Sequence, residues 1–337
     1  MKKSRSEFAF LGGMREDYCI THDDIAIRGV IGGNAVYSAV GARIWVSPVS
    51  LLSRVGINYP QKWIDELQQE GIITTDVKIL DDPQNTCTFY AYLSPEERVD
   101  TNPTSHFRRV NQPIPKTLID YQSSTDGQES REIFGPLALR PSDLPRTMGN
   151  AIAVHLAPAD YLSHATIPQM LQESGVKIMT LDPSIRYMDP SFRWDLPTIV
   201  HGLDAFLPSD QEARSYFTEY KMDVWEMAEA FGDMGARFVI IKRGPGGQCL
   251  WDKNAKQRWQ IPAYAAQVRD VTGAGDSFCG GFIVGLSQTG DPVESALMGS
   301  VSASLTIEGS GALYALGAAP GLKEARLEYL RGGVKRI

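Results

Sequence analysis

Short apolar runs recur along the chain at Phe8–Leu11 (FAFL), residues 151–156 (AIAVHL), 176–181 (VKIMTL) and 238–241 (FVII), each flanked by glycine, proline or polar residues. Runs of this length between turn signals read as buried strands. Residues 167–173 and 223–231, which separate the later runs, have helical patterning, and alternating strand and helix at this spacing implies a mainly parallel sheet flanked by helices. Two segments follow another rule. Residues 25–30 alternate apolar and polar, and residues 86–93 (TCTFYAYL) are β-branched and aromatic, so both read as half-exposed strands of an antiparallel piece apart from the main sheet. Between them, residues 35–42 form a helix of small side chains, and residues 60–70 (PQKWIDELQQE) an amphipathic helix with Trp63, Ile64 and Leu67 on one face. The polar stretch 111–131 reads as a surface excursion.

Composition narrows the partners. The 337 residues carry a net charge of −7 with no long basic run, which argues against nucleic acid or an anionic membrane. Cys19, Cys87, Cys249 and Cys279 lie far apart with no CxxC pair, so a reducing cytoplasm is expected. The basic start MKKSRSEFAFLGG is too short in apolar residues for a signal-peptide core, and no stretch approaches a membrane span. His22, His106, His155, His164 and His201 show no HxxxH or HxH spacing, and none is assigned to a metal.

The chemistry concentrates in residues 270–286, DVTGAGDSFCGGFIVGL. Gly273, Ala274 and Gly275 carry little or no side chain, so three successive backbone N–H groups can approach an anion where a helix begins. A carboxylate at Asp276, beside such a cradle, costs electrostatic energy unless it has a function, and a general base facing an incoming hydroxyl is such a function. Gly280, Gly281 and Gly285 each cost about 1 kcal/mol relative to alanine inside a helix, so tight packing or close ligand approach must compensate. Ser277, Gly281 and Gly285 share one face beside the bulky stripe Phe278, Phe282 and Leu286. Read alone, the segment is also compatible with a tight loop and packed helix without a ligand. No GxxxxGK[ST] occurs, and GAGDSF departs from GxGxxG at Phe278, which disfavours a P-loop or dinucleotide fold.

DVTGAGDSFCGGFI resembles the C-terminal signature of the PfkB family of carbohydrate and nucleoside kinases at every position. FLGGMRED, IGGNAVYSAVGARI, LLSRVGINYPQKWIDELQQEGI, TLDPSIR, DAFLPSDQEA and VIIKRGPGG are similar to family elements in the same order, so the resemblance spans almost the whole chain. It implies a three-layer α/β/α ribokinase-like fold with a mainly parallel central sheet and a small antiparallel β lid. Residues 1–337 would form one kinase domain, with the lid built from segments near 14–30 and 86–110. It implies a transferase using ATP and Mg2+ to phosphorylate an alcohol group of a sugar, sugar acid or nucleoside.

Carried over by position, the resemblance makes Asp276 the catalytic base and the amides of Gly273, Ala274 and Gly275 the anion hole. Asp17 would hold substrate hydroxyls, and Gly32 and Gly33 would let the backbone close over the substrate. Lys242, Gly244, Gly247 and Thr272 would line the nucleotide, Glu212 would act on the magnesium shell through water, and Asp270 with Thr272 would stand where some members bind a monovalent cation such as K+. Local readings stand beside these: Asp17 as a turn or capping residue, Gly32-Gly33 as a turn before a helix, and KRGPGG as a hairpin between two strands.

Three positions depart from the family pattern. Tyr37 stands where many sugar kinases have asparagine, which predicts a different substrate pocket; Ser209 replaces the asparagine of the NxxE element; and Ser184 replaces an asparagine in DPSIR. Arg186 is a candidate carboxylate or phosphate contact, or a surface ion-pair partner of Asp189. The alternative to a kinase is a catalytically silent member that binds a metabolite as a sensor; a nucleoside-phosphate glycosidase on this fold is disfavoured by the complete GAGD. Because the lid strands would leave an apolar face in water, they are expected to pack in a homodimer or to close over substrate.

Overall fold

The computed structural model of the chain describes residues 6–95, 97–146 and 148–337; residues 1–5 and Thr147, within the expected domain, and Glu96, within the expected lid segment, lie outside the described residues. In chain order the strands are β1 (Phe8–Leu11), β2 (Arg15–Ile20), β3 (Ala26–Gly32), β4 (Val49–Gly56), β5 (Ile72–Leu80), β6 (Cys87–Tyr92), β7 (Arg98–Val99), β8 (Ala153–Leu156), β9 (Ile178–Leu181), β10 (Ala205–Phe206), β11 (Phe238–Lys242), β12 (Gln248–Asp252), β13 (Gln257–Ile261) and β14 (Lys335–Arg336). The main sheet runs β14-β13-β12-β11-β10-β9-β8-β1-β4-β5. Its strands from β11 to β5 pair in parallel, and β12, β13 and β14 extend it in antiparallel fashion.

The period of two along a strand explains the three layers. In β1, Phe8 and Phe10 point into a core shared with the helices Asn34–Arg43, Gln61–Gln69, Ala274–Thr289 and Pro292–Thr306. Ala9 and Leu11 point into a second core, with the helices Tyr161–Glu173, Asp210–Tyr216 and Val224–Asp233. β1 pairs with β4 on one side and β8 on the other, so the chain changes direction there. In open α/β sheets ligands bind beyond the carboxyl ends of strands at such a switch point. No helix among the described residues is long and apolar enough to cross a membrane.

The small sheet has the order β3-β2-β6-β7, antiparallel at both ends and parallel where β2 meets β6. It uses the two expected lid segments. One face carries Arg15, Asp17, Cys19, Thr88, Tyr90 and Tyr92, and the other carries Tyr18, Ile20, Phe89 and Ala91. The second, apolar face packs on Phe107 and Leu118, with Tyr121 at its margin. Those residues come from the short helix Pro103–Arg109 and from the polar stretch read as a surface excursion. This chain itself therefore covers the face that the sequence left open for a second subunit.

The glycines after Asp276 serve helix packing on two sides. A Cβ on Gly280 would lie 1.9 Å from Ser38 O, and one on Gly41 would lie 2.1 Å from Ser277 O. On the other side, a Cβ on Gly281 would meet Met298 O at 2.7 Å, and Ser277 Oγ accepts from Thr306 Oγ1 at 2.8 Å. Helix Ala274–Thr289 is thus clamped between Asn34–Arg43 and Pro292–Thr306 at backbone contact. Gly280→Ala should destabilise the protein by at least about 1–3 kcal/mol through overpacking. Urea unfolding should show a lower midpoint with an unchanged slope; an unaltered midpoint would mean that the two helices are not in backbone contact.

Candidate active site

The carboxyl ends of the central strands deliver a cluster of charged groups. Asp182 follows directly after β9, Lys242 ends β11, and Glu212 lies in the first turn of the helix that follows β10. The Lys242 ammonium forms an ion pair with Asp182 and lies 3.6 Å from Cys279 Sγ, which donates to Asp182 Oδ2 at 3.4 Å. Asp182 Oδ1 is buried and has no partner among the described residues. Burial raises the Asp182 carboxyl against the pull of Lys242, while Asp182 holds Lys242 charged. A Cβ on Gly275 would stand 3.4 Å from Lys242 Nζ, so the ammonium lies beside the loop of Gly273, Ala274 and Gly275.

The loop itself is shaped by contact. Gly273 caps the helix with φ +74°, and a Cβ there would overlap the Tyr37 ring at 2.1 Å. Tyr37, expected to make the substrate pocket a different one, is 3% exposed, and its ring lies against Gly273 beneath the loop. Its effect on a ligand runs through Gly273. The N–H of Ala274 donates to Val271 O at 3.2 Å, and no bond within the described protein engages the N–H of Gly273 or Gly275. Of the three expected anion-hole amides, Ala274's is therefore turned into its own turn.

Asp276 lies in the first turn of this helix. Burial pushes its carboxyl up to about 8, with Asp182, Glu212 and Asp17 adding to the rise and Lys242 opposing it. Glu212 is pushed up to about 7 by burial and by Asp182. Its Oε2 accepts from Ser209 N and Ser209 Oγ, both at 2.7 Å, and Ser209 Oγ accepts from Glu212 N at 3.2 Å. Ser209 thus closes a capping box that orients Glu212.

Across the cleft, the lid supplies Asp17. It is 4% exposed, accepts from Thr88 Oγ1 at 2.5 Å and from the Gly33 N–H, and burial raises it to about 6. A Cβ on Gly32 would fall 1.8 Å from Asp17 Oδ2, so a side chain there would displace the carboxylate. Gly33 has φ +99°, with Gly13 O only 2.4 Å from the Cβ position. The glycine pair is thus required by contact.

The remaining expected residues divide. Asp270 Oδ1 accepts from Thr272 N at 3.0 Å and Oδ2 from Cys19 Sγ at 3.6 Å, and Thr272 Oγ1 shares a 2.9 Å hydrogen bond with Tyr92 OH of the lid. Gly244 and Gly247 occupy the β11–β12 hairpin; Gly244 has open space, whereas a Cβ on Gly247 would strike Ile261 O at 2.0 Å. Arg186 does not pair with Asp189. It pairs with Asp126 at 2.9 Å, while Asp189 caps the turn at Ser191 N. Sequence reasoning missed Cys279 and Thr88 as site groups; their signals were the register of Thr88 with Asp17 and the helical spacing of Cys279 from Asp276.

A family model described as pfkB family carbohydrate kinase matches residues 149–318. The chain is 24% identical over 269 residues to a cytidine kinase of Thermococcus kodakarensis, covering 78% of this chain and 82% of that protein. It is 31% identical over 134 residues to a protein of Archaeoglobus fulgidus described as an uncharacterized sugar kinase; this covers 40% of this chain and only about half, 51%, of that relative. A solved structure from Escherichia coli, described as a ribokinase II in complex with ATP and Mg2+, matches with a TM-score of 0.70 at 16% identity over 96% of this chain and 99% of that one. That likeness shows the fold, three-layer α/β/α with a small sheet beside the main one.

The raised carboxyl of Asp276 predicts a pH effect on stability. Its folded value near 8 exceeds the unfolded value, so its contribution is fully present below about pH 4 and is lost as pH rises through 8. Asp276→Asn cannot ionise and escapes this loss. Its stability advantage over wild type, measured by urea unfolding, should grow from pH 5 to pH 8; an offset equal at both would disprove the shift.

Proposed function

Because the chain belongs to the pfkB family of carbohydrate kinases, we propose that Asp276 is the base that activates an alcohol of its small-molecule acceptor for attack on the γ-phosphate of ATP. The chain is a carbohydrate or nucleoside kinase. The observation that carries the finer reading is Asp276 itself, a carboxyl raised to about 8 in the helical turn that follows Gly273, with Asp17 on the lid. A base poised near the working pH combines the right protonation state with useful proton affinity.

The residues fit a nucleotide and its metal. The free N–H groups of Gly273 and Gly275, the helix N-terminus and the adjacent Lys242 ammonium suit phosphate oxygens. The unpartnered Asp182 Oδ1 and the Glu212 carboxylate suit a hydrated Mg2+. Mg2+, when bound, neutralises charge on the phosphates. Asp17 would orient the acceptor through its hydroxyls, its own geometry fixed by Thr88 and Gly33. The acceptor proton passes to Asp276, the acceptor oxygen forms the new bond to phosphorus, and ADP departs with the electrons of the broken bond. Lys242 and the loop amides hold the negative charge in the transition state.

Asp276→Asn keeps the shape and loses the base. Turnover, read as ADP formation with an acceptor that calorimetry shows both forms bind, should fall by about 10²–10⁴-fold; equal rates would eliminate Asp276 as the base. In wild type, kcat/KM at low nucleotide should rise with pH through about 8 and level off above it, because the base works deprotonated. A profile flat from pH 6 to 9 would count against the assignment.

A further inference from the structure

Strand β2 carries a second buried charge that this chemistry leaves unused. Side chains two apart on a strand share a face, so Arg15 and Asp17 point the same way, about 6.6 Å apart. Arg15 is 5% exposed. Its Nη1 donates to Met14 O at 3.2 Å, and it has no other hydrogen bond or ion pair among the described residues. Its attraction to Asp160 and Asp17 acts at longer range, and burial outweighs that attraction and lowers its pKa. A guanidinium presents five N–H donors, and desolvating one without a partner is among the costlier arrangements a fold can hold.

The guanidinium lines a polar cleft of about 240 Å³ together with Asp160, Asp126, Gln128 and Gln84. The other charges there are committed. Asp160 accepts from the Gln128 side chain and the Gly135 N–H, and Asp126 is paired with Arg186 at 2.9 Å. Asp17, whose charge adds to the rise of the Asp276 carboxyl, is thus the neighbour of Arg15 on the same face of β2.

We propose that Arg15 binds the anionic end of the phosphate acceptor, a carboxylate or phosphoryl group on the side away from the reacting hydroxyl. This rests on the reading that Asp17 and Asp276 hold the acceptor. Paired oxygens on one centre match the planar fork of arginine, which a lone hydroxyl does not. The kinase is then selective for acidic acceptors over their neutral parents.

The test uses two matched series with a free terminal hydroxymethyl group: glucose, gluconate and glucose 1-phosphate, and ribose, ribonate and ribose 1-phosphate. Binding is measured by calorimetry without nucleotide and turnover by ADP release. At least one anionic member should be preferred over its neutral parent by about 100-fold or more, a threshold well below the discrimination open to a site whose buried polar group the wrong ligand leaves unpaired. The carboxylate and phosphate arms identify which anion is meant. Arg15→Met should bring the ratio of anionic to neutral binding to about unity, and Arg15→Lys should restore part of it. Absence of an anion preference in both series would overturn the proposal. Anion-selective binding lost in Arg15→Met but without ADP release would retain it and instead overturn the kinase reading. The melting temperature of ligand-free Arg15→Met should match or exceed that of wild type, since an unpaired buried charge is removed; a fall would assign Arg15 a structural role.

Discussion

The active-site geometry depends on the backbone contact between helices Asn34–Arg43 and Ala274–Thr289. Ser38 O and Ser277 O occupy the places where side chains on Gly280 and Gly41 would have to go. The first helix begins immediately after Gly33, whose N–H is bonded to Asp17, and the second begins at the anion loop and carries Asp276. Locking the two helices therefore sets the lid carboxylate and the proposed base in one frame. Tyr37 extends the contact by placing its ring under Gly273. Close-packed interiors transmit small volume changes, so one methyl group at this seam would be felt at both carboxylates.

Charge makes the second constraint. Burial, Asp182, Glu212 and Asp17 oppose ionisation of Asp276, and burial and Asp182 oppose that of Glu212; Lys242 offsets both, and Arg15 acts in the same sense on Asp17. Asp276, pushed up to about 8, and Glu212, pushed up to about 7, are the members of this cluster held partly protonated near neutral pH. Cations delivered with a nucleotide would lower these values, and the same repulsion that destabilises the free site would favour occupancy by a metal-bound phosphate.

Much of the fold was legible where residue chemistry and structural period agreed. Phe8–Leu11, residues 86–93 and the helices near 35–42 and 60–70 fall where alternation, β-branching or small side chains point. Strand β4 was hidden because its buried run includes Ser50, Ser53 and Arg54, and Arg54 is tolerated there through its 2.7 Å ion pair with Asp143 and its bond to Pro136 O, both far along the chain. The lid's covering layer was hidden by polarity, since Leu118 and Tyr121 are isolated among exposed residues. At the site, the glycine loop and Asp276 stood out locally. The pairing of Lys242 with Asp182, 60 residues apart, depends on β9 and β11 ending on either side of β10, and no local pattern encodes that. The same holds for Arg186 and Asp126, whose pairing required the excursion to fold back.

The lid has a core of its own. Tyr18, Ile20, Phe89, Ala91, Phe107 and Leu118 pack together as a cluster separate from the two layers around the main sheet. A flap without such a core would have to freeze its strands each time it met a ligand, and the entropy of that ordering would oppose binding. Here the strands are already ordered against their own helix. The sheet is a stiff tray, and Arg15, Asp17 and Thr88 are held on it as a fixed set.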